Sequence, residues 1–96
     1  MSKVIMVAVY KSVSDEQKLA AYAALALPAM QAAGAKVLAR GAPFAVKESG
    51  EKTRTVVLEW PSKEAAEAGY NSEAYQAALD ALDGGAVRDI RLVEAL

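Results

Sequence analysis

Two spacings of hydrophobic residues divide the chain into expected strands and helices. Residues 4–10 are apolar almost without interruption and rich in β-branched side chains, which predicts a first strand. Ser14 and Gln17 then fit a capping box, and apolar residues recur every three or four positions up to Gly34, so a long helix is expected. Pro28 lies within that helix and predicts a kink or a break, because proline removes one backbone hydrogen bond.

The rest of the pattern predicts three more strands and a second helical region. Short apolar runs bounded by turn residues cover residues 36–40, 53–60 and 87–95, and a polar hairpin tip separates the first two. Helical spacing over residues 62–84, interrupted near Asn71, fills the interval between the last two runs. The predicted order of elements is therefore βαββαβ.

This order is typical of the α+β ferredoxin-like fold, in which a four-stranded antiparallel sheet carries its helices on one face. In that topology the first and third strands are central, and the second and fourth strands are edges. The charges agree, because the presumed edge strands carry most of the basic and acidic side chains of the four strands. The sequence therefore predicts one ferredoxin-like domain over residues 1–96.

The first strand is apolar on both faces, although the helices can cover only one face of the sheet. A second sheet is the simplest cover for the other face, so we expect a homodimer. We expect strand alternation to separate two sets of side chains: Ile5, Val7 and Val9 towards the helices, and Met6, Ala8 and Tyr10 on the open face beside Thr55, Val57 and Glu59.

The composition excludes several classes of chemistry. The chain has no cysteine and no histidine, which rules out disulfides, thiolate zinc sites, imidazole haem ligands and nucleophiles activated by histidine. A formal net charge of -1, from 11 basic and 12 acidic side chains, gives no basic surface for nucleic acid or an anionic membrane. We expect no metal, no cofactor, no nucleic-acid or membrane partner, and a cytoplasmic location, because no spanning or targeting segment is recognisable.

Segments spread along the chain together carry a family pattern. They are Tyr22, Pro28 and Gly34, then Ala39-Arg40-Gly41, RTVVLEWPS at residues 54–62, Glu64-Ala65-Ala66, YNSEAYQAA at residues 70–78, Asp89 and Val93-Glu94. In this order they resemble the domain-of-unknown-function 1330 family, a small branch of the dimeric α/β-barrel superfamily. The resemblance covers nearly the whole chain, and one departure from it is Asp83-Gly84-Gly85, where the family more often keeps helix-forming residues.

The resemblance implies a homodimer whose sheets pair face to face to form a dimeric α/β barrel, with a pocket for a small organic molecule. Activities in this superfamily range from cofactor-free oxygenation and isomerisation to haem breakdown and amino-acid sensing, so the fold does not select among them. Two interpretations follow. The protein is a cofactor-independent enzyme of the isomerase or monooxygenase type, or it is a non-catalytic ligand-binding or structural module.

Arg40 and Glu59 are the candidate catalytic residues. They come from neighbouring strands, and alternation is expected to place both on the open face. One interpretation makes Glu59 a general base and gives Arg40 the task of holding an anionic or enolate oxygen. The other makes them a buried or interfacial ion pair that sets the register of the sheet.

Three tyrosines and one arginine are the candidate ligand-binding residues. Tyr22, Tyr70 and Tyr75 lie at helical spacing and can present hydroxyl groups to a ligand, although aromatic residues at this spacing more often belong to the core. Arg54, Arg88 and Arg91, with Asp89, can form an anion site, although charges on edge strands commonly serve solubility.

Overall fold

The computed structural model describes residues 2–96 and contains four strands and three helices. Short turns of glycine, proline and serine separate most of these elements, as the sequence predicts. In chain order they are β1 (Val4–Val13), α1 (Glu16–Ala32), β2 (Lys36–Gly41), β3 (Thr55–Trp60), α2 (Lys63–Tyr70), α3 (Glu73–Leu82) and β4 (Ala86–Glu94).

The four strands form one antiparallel sheet in the order β2-β3-β1-β4, with β1 and β3 at its centre. All three helices contribute to a single core on one face of the sheet. This is the predicted ferredoxin-like α+β fold, with the break at Asn71 dividing the second helical region into α2 and α3. Within residues 2–96, no helix is long and apolar enough to cross a lipid bilayer.

Asp15, and not Ser14, caps the N-terminus of α1. The Oδ1 atom of Asp15 accepts hydrogen bonds from the backbone N–H groups of Gln17 and Lys18, each at 3.0 Å. Ser14 instead extends the pairing of β1 with β4, because its N–H donates to the Gly85 carbonyl at 2.9 Å. The predicted capping box is therefore displaced by one residue, since the strand continues further than its apolar run.

Helix α1 runs without a break through Pro28 and ends where the sequence predicts. Buried residues lie on both sides of the proline, so packing against the sheet outweighs the loss of one backbone hydrogen bond. Gly34 follows the helix with a φ of +106°, and the N–H of Ala35 returns to the Met30 carbonyl at 3.0 Å. This left-handed turn favours glycine and explains the predicted end of the helix.

The two faces of β1 are the reverse of the prediction. Met6, Ala8 and Tyr10 are buried at 3% to 6% exposure on the helix side. The β-branched set, Ile5, Val7 and Val9, is left on the open face. Because both sets are apolar, alternation alone does not decide which one faces the helices. On the open face, three pairs line up between β1 and β3: Ile5 with Glu59, Val7 with Val57 and Val9 with Thr55.

Candidate ligand-binding site

A cavity of about 580 Å³, measured out to its open mouth, lies between α1 and the helix-facing side of the sheet. Its inner part is apolar and includes Met6 and Leu58 from the sheet and Ala26 and Met30 from α1. The opposite part carries polar side chains: Tyr10, Tyr22, Arg40, Arg54 and Arg88.

Strand pairing places the polar side chains together at one end of the cavity. Met6 and Tyr10 lie four residues apart on β1, a distance of about 13 Å at the rise of an extended strand. Tyr10 pairs with Arg88 of β4 on one side, and its N–H donates to the carbonyl of Arg54 on the other at 2.9 Å. Arg54 and Arg88 therefore flank Tyr10, and each guanidinium carbon lies 5.7 Å from the centre of its ring.

A β-bulge in β2 brings Arg40 to the same cavity. The register of β2 against β3 shifts between Val37 and Ala39, which leaves Leu38 as an extra residue. After this bulge Arg40 faces the helices and lines the cavity. The prediction that Arg40 shares the open face with Glu59 is therefore wrong, because simple alternation does not account for an inserted residue.

Glu59 lies on the open face of the sheet, as the alternation of β3 predicts. Its partner is Lys3, whose Nζ lies 3.1 Å from Oε1 of Glu59. The side chain of Glu59 is 26% exposed and that of Lys3 is 63% exposed. Exposed pairs of this kind contribute about 0–1 kcal/mol. The predicted pair of Glu59 with Arg40 does not form, because the two side chains lie on opposite faces of the sheet.

Tyr22 and Tyr75 form a buried hydroxyl pair behind the arginines. Their hydroxyl oxygens lie 2.7 Å apart, and Nη1 of Arg88 donates to the Tyr22 hydroxyl at 2.8 Å. Tyr22 lines the cavity, whereas Tyr75 is completely buried behind it. Tyr70 is partly exposed and packs on the Tyr75 ring at 5.0 Å, away from the cavity lining. The structure thus brings Tyr22, Arg40 and Arg54 to one cavity, and Tyr75 holds the hydroxyl of Tyr22 from behind.

Burial raises the pKa of Tyr22, and the hydrogen bond with Tyr75 raises it further, while the nearby Arg88 opposes both effects only in part. Tyr22 therefore keeps its proton at neutral pH. Its hydroxyl can donate or accept a hydrogen bond, but it is not a tyrosinate base.

We expect the raised pKa of Tyr22 to make the protein lose stability at alkaline pH. Above the ordinary tyrosine pKa of about 10, the unfolded chain loses this proton while the folded protein keeps it. The Tyr22 contribution to the free energy of unfolding is thus complete below that pH and falls as pH rises towards the folded pKa. Urea unfolding at neutral and alkaline pH should show that the free energy of unfolding falls more steeply with pH in the parent than in Tyr22→Phe. Equal slopes would contradict this assignment.

One residue of this site, Tyr10, was not singled out by sequence reasoning, which treated it as part of the open face. Arg88 was named with Arg54 as a candidate anion site, beside the interpretation that it serves solubility on an edge strand. The sequence does indicate which face of β4 carries Arg88. Arg88 alternates with Ile90 and Leu92, which places it on the apolar, helix-facing side of the strand. For residues 2–96, no group of three or more acidic side chains is arranged to hold a metal ion.

The geometry defines a class of protein: a ferredoxin-like α+β fold with an arginine-rich cavity between sheet and helices. A family model matches residues 3–96, and the chain belongs to DUF1330, a domain of unknown function. No functionally curated protein matches it in sequence.

Solved structures share the fold at low sequence identity. A protein of unknown function from Rhodopseudomonas palustris is 19% identical with a TM-score of 0.70, over 98% of this chain and 81% of that one. A dimeric ferredoxin-like protein of unknown function from Thermobifida fusca is 19% identical with a TM-score of 0.67, over 98% and 92%. The cofactor-independent oxygenase SnoaB from Streptomyces nogalater is 11% identical with a TM-score of 0.64, over 100% and 95%.

Proposed function

We propose that this protein is a homodimer that binds a small organic molecule in the cavity beneath α1. The cavity itself is the observation that carries the proposal. It combines apolar walls with a few convergent polar groups, which is the character of small-molecule sites. No bound cofactor is part of this proposal.

The open face of the sheet supports the homodimer. Ile5, Val7 and Val57 form an apolar stripe across the two central strands, and no element within residues 2–96 covers it. An identical sheet matches such a stripe, since pairing about a twofold axis buries the same residues from both chains. The dimeric relative from Thermobifida fusca adds support from the shared fold.

Binding is favoured over catalysis by the residues that line the cavity. SnoaB shows that the fold can host a cofactor-independent oxygenase, and guanidinium groups can stabilise an enolate. However, the described lining residues include no carboxylate that can serve as a general base, and Glu59 lies on the other face of the sheet. We therefore propose ligand binding as the function, with cofactor-free catalysis as the second candidate.

The neutral fluorescent probe N-phenylnaphthylamine tests the cavity. Its fluorescence should rise on binding to the parent protein, because the dye reports transfer into an apolar site. Ala8 faces the cavity from the central strand, so Ala8→Phe should fill the space and abolish the rise. Ala24→Phe, on the exposed side of α1, is the matched control and should bind the probe as the parent does.

Two results would overturn the proposal: no fluorescence rise with the parent, or an undiminished rise with Ala8→Phe. Circular dichroism establishes that each variant is folded. If Ala8→Phe does not fold, Ala23→Phe at the cavity rim replaces it, since Ala23 also lines the cavity but is more exposed.

A further inference from the structure

We infer that the ligand of this cavity is an amphipathic organic anion, whose acidic group lies among Arg40, Arg54 and Arg88. The inference rests on the proposed function and specifies the chemical class of its ligand. It follows from the distribution of charge, from one unpaired donor and from the apolar inner wall.

The charge of the cavity is one-sided. The chain has four arginines, at positions 40, 54, 88 and 91, and the first three line the cavity. None of its twelve carboxylates does so. Arg40, Arg54 and Arg88 form no ion pair with any residue in the described range 2–96. Arg54 and Arg88 are partly buried and Arg40 is exposed, and like charges in a partly buried cluster are unfavourable unless an anion neutralises them.

Arg54 supplies the most direct evidence for an absent acceptor. Its Nε is buried and finds no hydrogen-bond partner among residues 2–96. Buried donors are usually paired, and a guanidinium can bind both oxygens of a carboxylate with two parallel hydrogen bonds. The main-chain bond from Tyr10 to Arg54 fixes the backbone of Arg54 beside the cavity.

Arg88 provides a second, fixed positive charge beside Arg54. It stacks on the Tyr22 ring at 4.6 Å and donates one hydrogen bond to the hydroxyl of Tyr22. A guanidinium has five N–H donors, so this contact leaves others for a ligand. The two arginines flank Tyr10, which directs an acidic group to the guanidinium groups and not to the ring itself.

The other end of the cavity specifies the body of the ligand. Met6, Met30 and Leu58 offer no hydrogen-bonding group apart from weakly accepting sulfur, and their burial favours an aliphatic or aromatic moiety. Inorganic anions do not use this wall, so the geometry points to an organic acid with its charge at one end.

Anilinonaphthalenesulfonate tests the inference, because it is the anionic counterpart of N-phenylnaphthylamine. The parent should bind the sulfonate about tenfold more tightly than the neutral probe, because one charge-assisted hydrogen bond changes affinity by about that factor. Arg54→Gln should weaken sulfonate binding by about tenfold and leave the neutral probe unaffected. Arg54→Lys keeps the positive charge and should weaken sulfonate binding less than Arg54→Gln does. Arg91→Gln, on the other face of the sheet, removes the same charge as a matched control and should alter neither affinity.

The outcomes separate this inference from the proposed function. If the parent binds both probes equally, or if Arg54→Gln weakens both alike, the anion specificity is wrong while the cavity remains a binding site. If neither probe binds the parent, the proposed function fails together with the inference. If Arg91→Gln lowers sulfonate affinity as much as Arg54→Gln does, the effect is one of net charge and the assigned site is wrong.

Discussion

Val7→Lys is expected to convert the protein from a dimer to a monomer with the 10.1 kDa mass of one chain. Val7 lies at the centre of the open face, between Val57 of β3 and Arg91 of β4. In a dimer closed through this face, the new ammonium groups are desolvated without a partner, which costs several kcal/mol per charge. In a monomer the same side chain reaches water. Light scattering during size-exclusion chromatography at micromolar concentration measures the mass.

Leu25→Lys is the matched control for this experiment. Leu25 is 46% exposed on α1, on the opposite side of the molecule from the open face. This variant should keep twice the chain mass, as should the parent. A parent that elutes with the mass of one chain, or a folded Val7→Lys protein that remains dimeric, would show that the open face is not the interface.

Gly69→Ala is expected to destabilise the fold, although alanine is the better helix former. A Cβ at position 69 would lie 2.5 Å from Cη2 of Trp60 and 3.1 Å from the Cβ of Ala33. Trp60 is 1% exposed, so its rigid ring has no free space in which to move. Overpacking of this kind costs about 1–3 kcal/mol, which exceeds the gain of at most about 1 kcal/mol from helix propensity.

The effect should extend to the ligand cavity. Nε1 of Trp60 donates a weak hydrogen bond to Sδ of Met6 at 3.5 Å, and Met6 lines the cavity. Chemical denaturation should show a lower free energy of unfolding, and the folded variant should bind N-phenylnaphthylamine more weakly. Ala68→Gly, at an exposed position in the same helix, is the control: it should cost about 1 kcal/mol through propensity alone and leave probe binding unchanged. A Gly69→Ala protein more stable than the parent would contradict the close contact.

Probe binding and dimer formation can be measured separately, because the variants that test them lie on opposite faces of the sheet. Val7→Lys changes the open face, whereas Ala8→Phe changes the next residue along β1, which faces the cavity. If a monomeric Val7→Lys still binds N-phenylnaphthylamine, each chain carries a complete site. If binding is lost with the dimer, the partner chain contributes to that site.

The sequence predicts the elements of this fold well, since their signals are local. Strand and helix periods, the serine caps at Ser62 and Ser72 and the left-handed turn at Gly34 depend on residues a few positions apart. The number of strands and their order then follow from the compact βαββαβ arrangement. Even Trp60 is correctly predicted to face the helices, because it alternates with Val56 and Leu58 in a strand without a bulge.

The candidate site was predicted only in part, because its residues depend on tertiary register. Sequence reasoning selected Tyr22, Arg40 and Arg54, which the structure brings to one cavity, but it paired Arg40 with Glu59. A single inserted residue at Leu38 changes the face of Arg40, and the two-residue periodicity of a strand carries no local mark of such a bulge.

By itself, the sequence determined the ferredoxin-like βαββαβ architecture and the need to cover an apolar sheet face, since both follow from the hydrophobic pattern. Only the tertiary structure decided which face of β1 meets the helices, because both sets of its side chains are apolar. It also decided that three arginines meet at one cavity. These residues come from strands or strand ends that are far apart in the chain, and only pairing across the sheet brings them together.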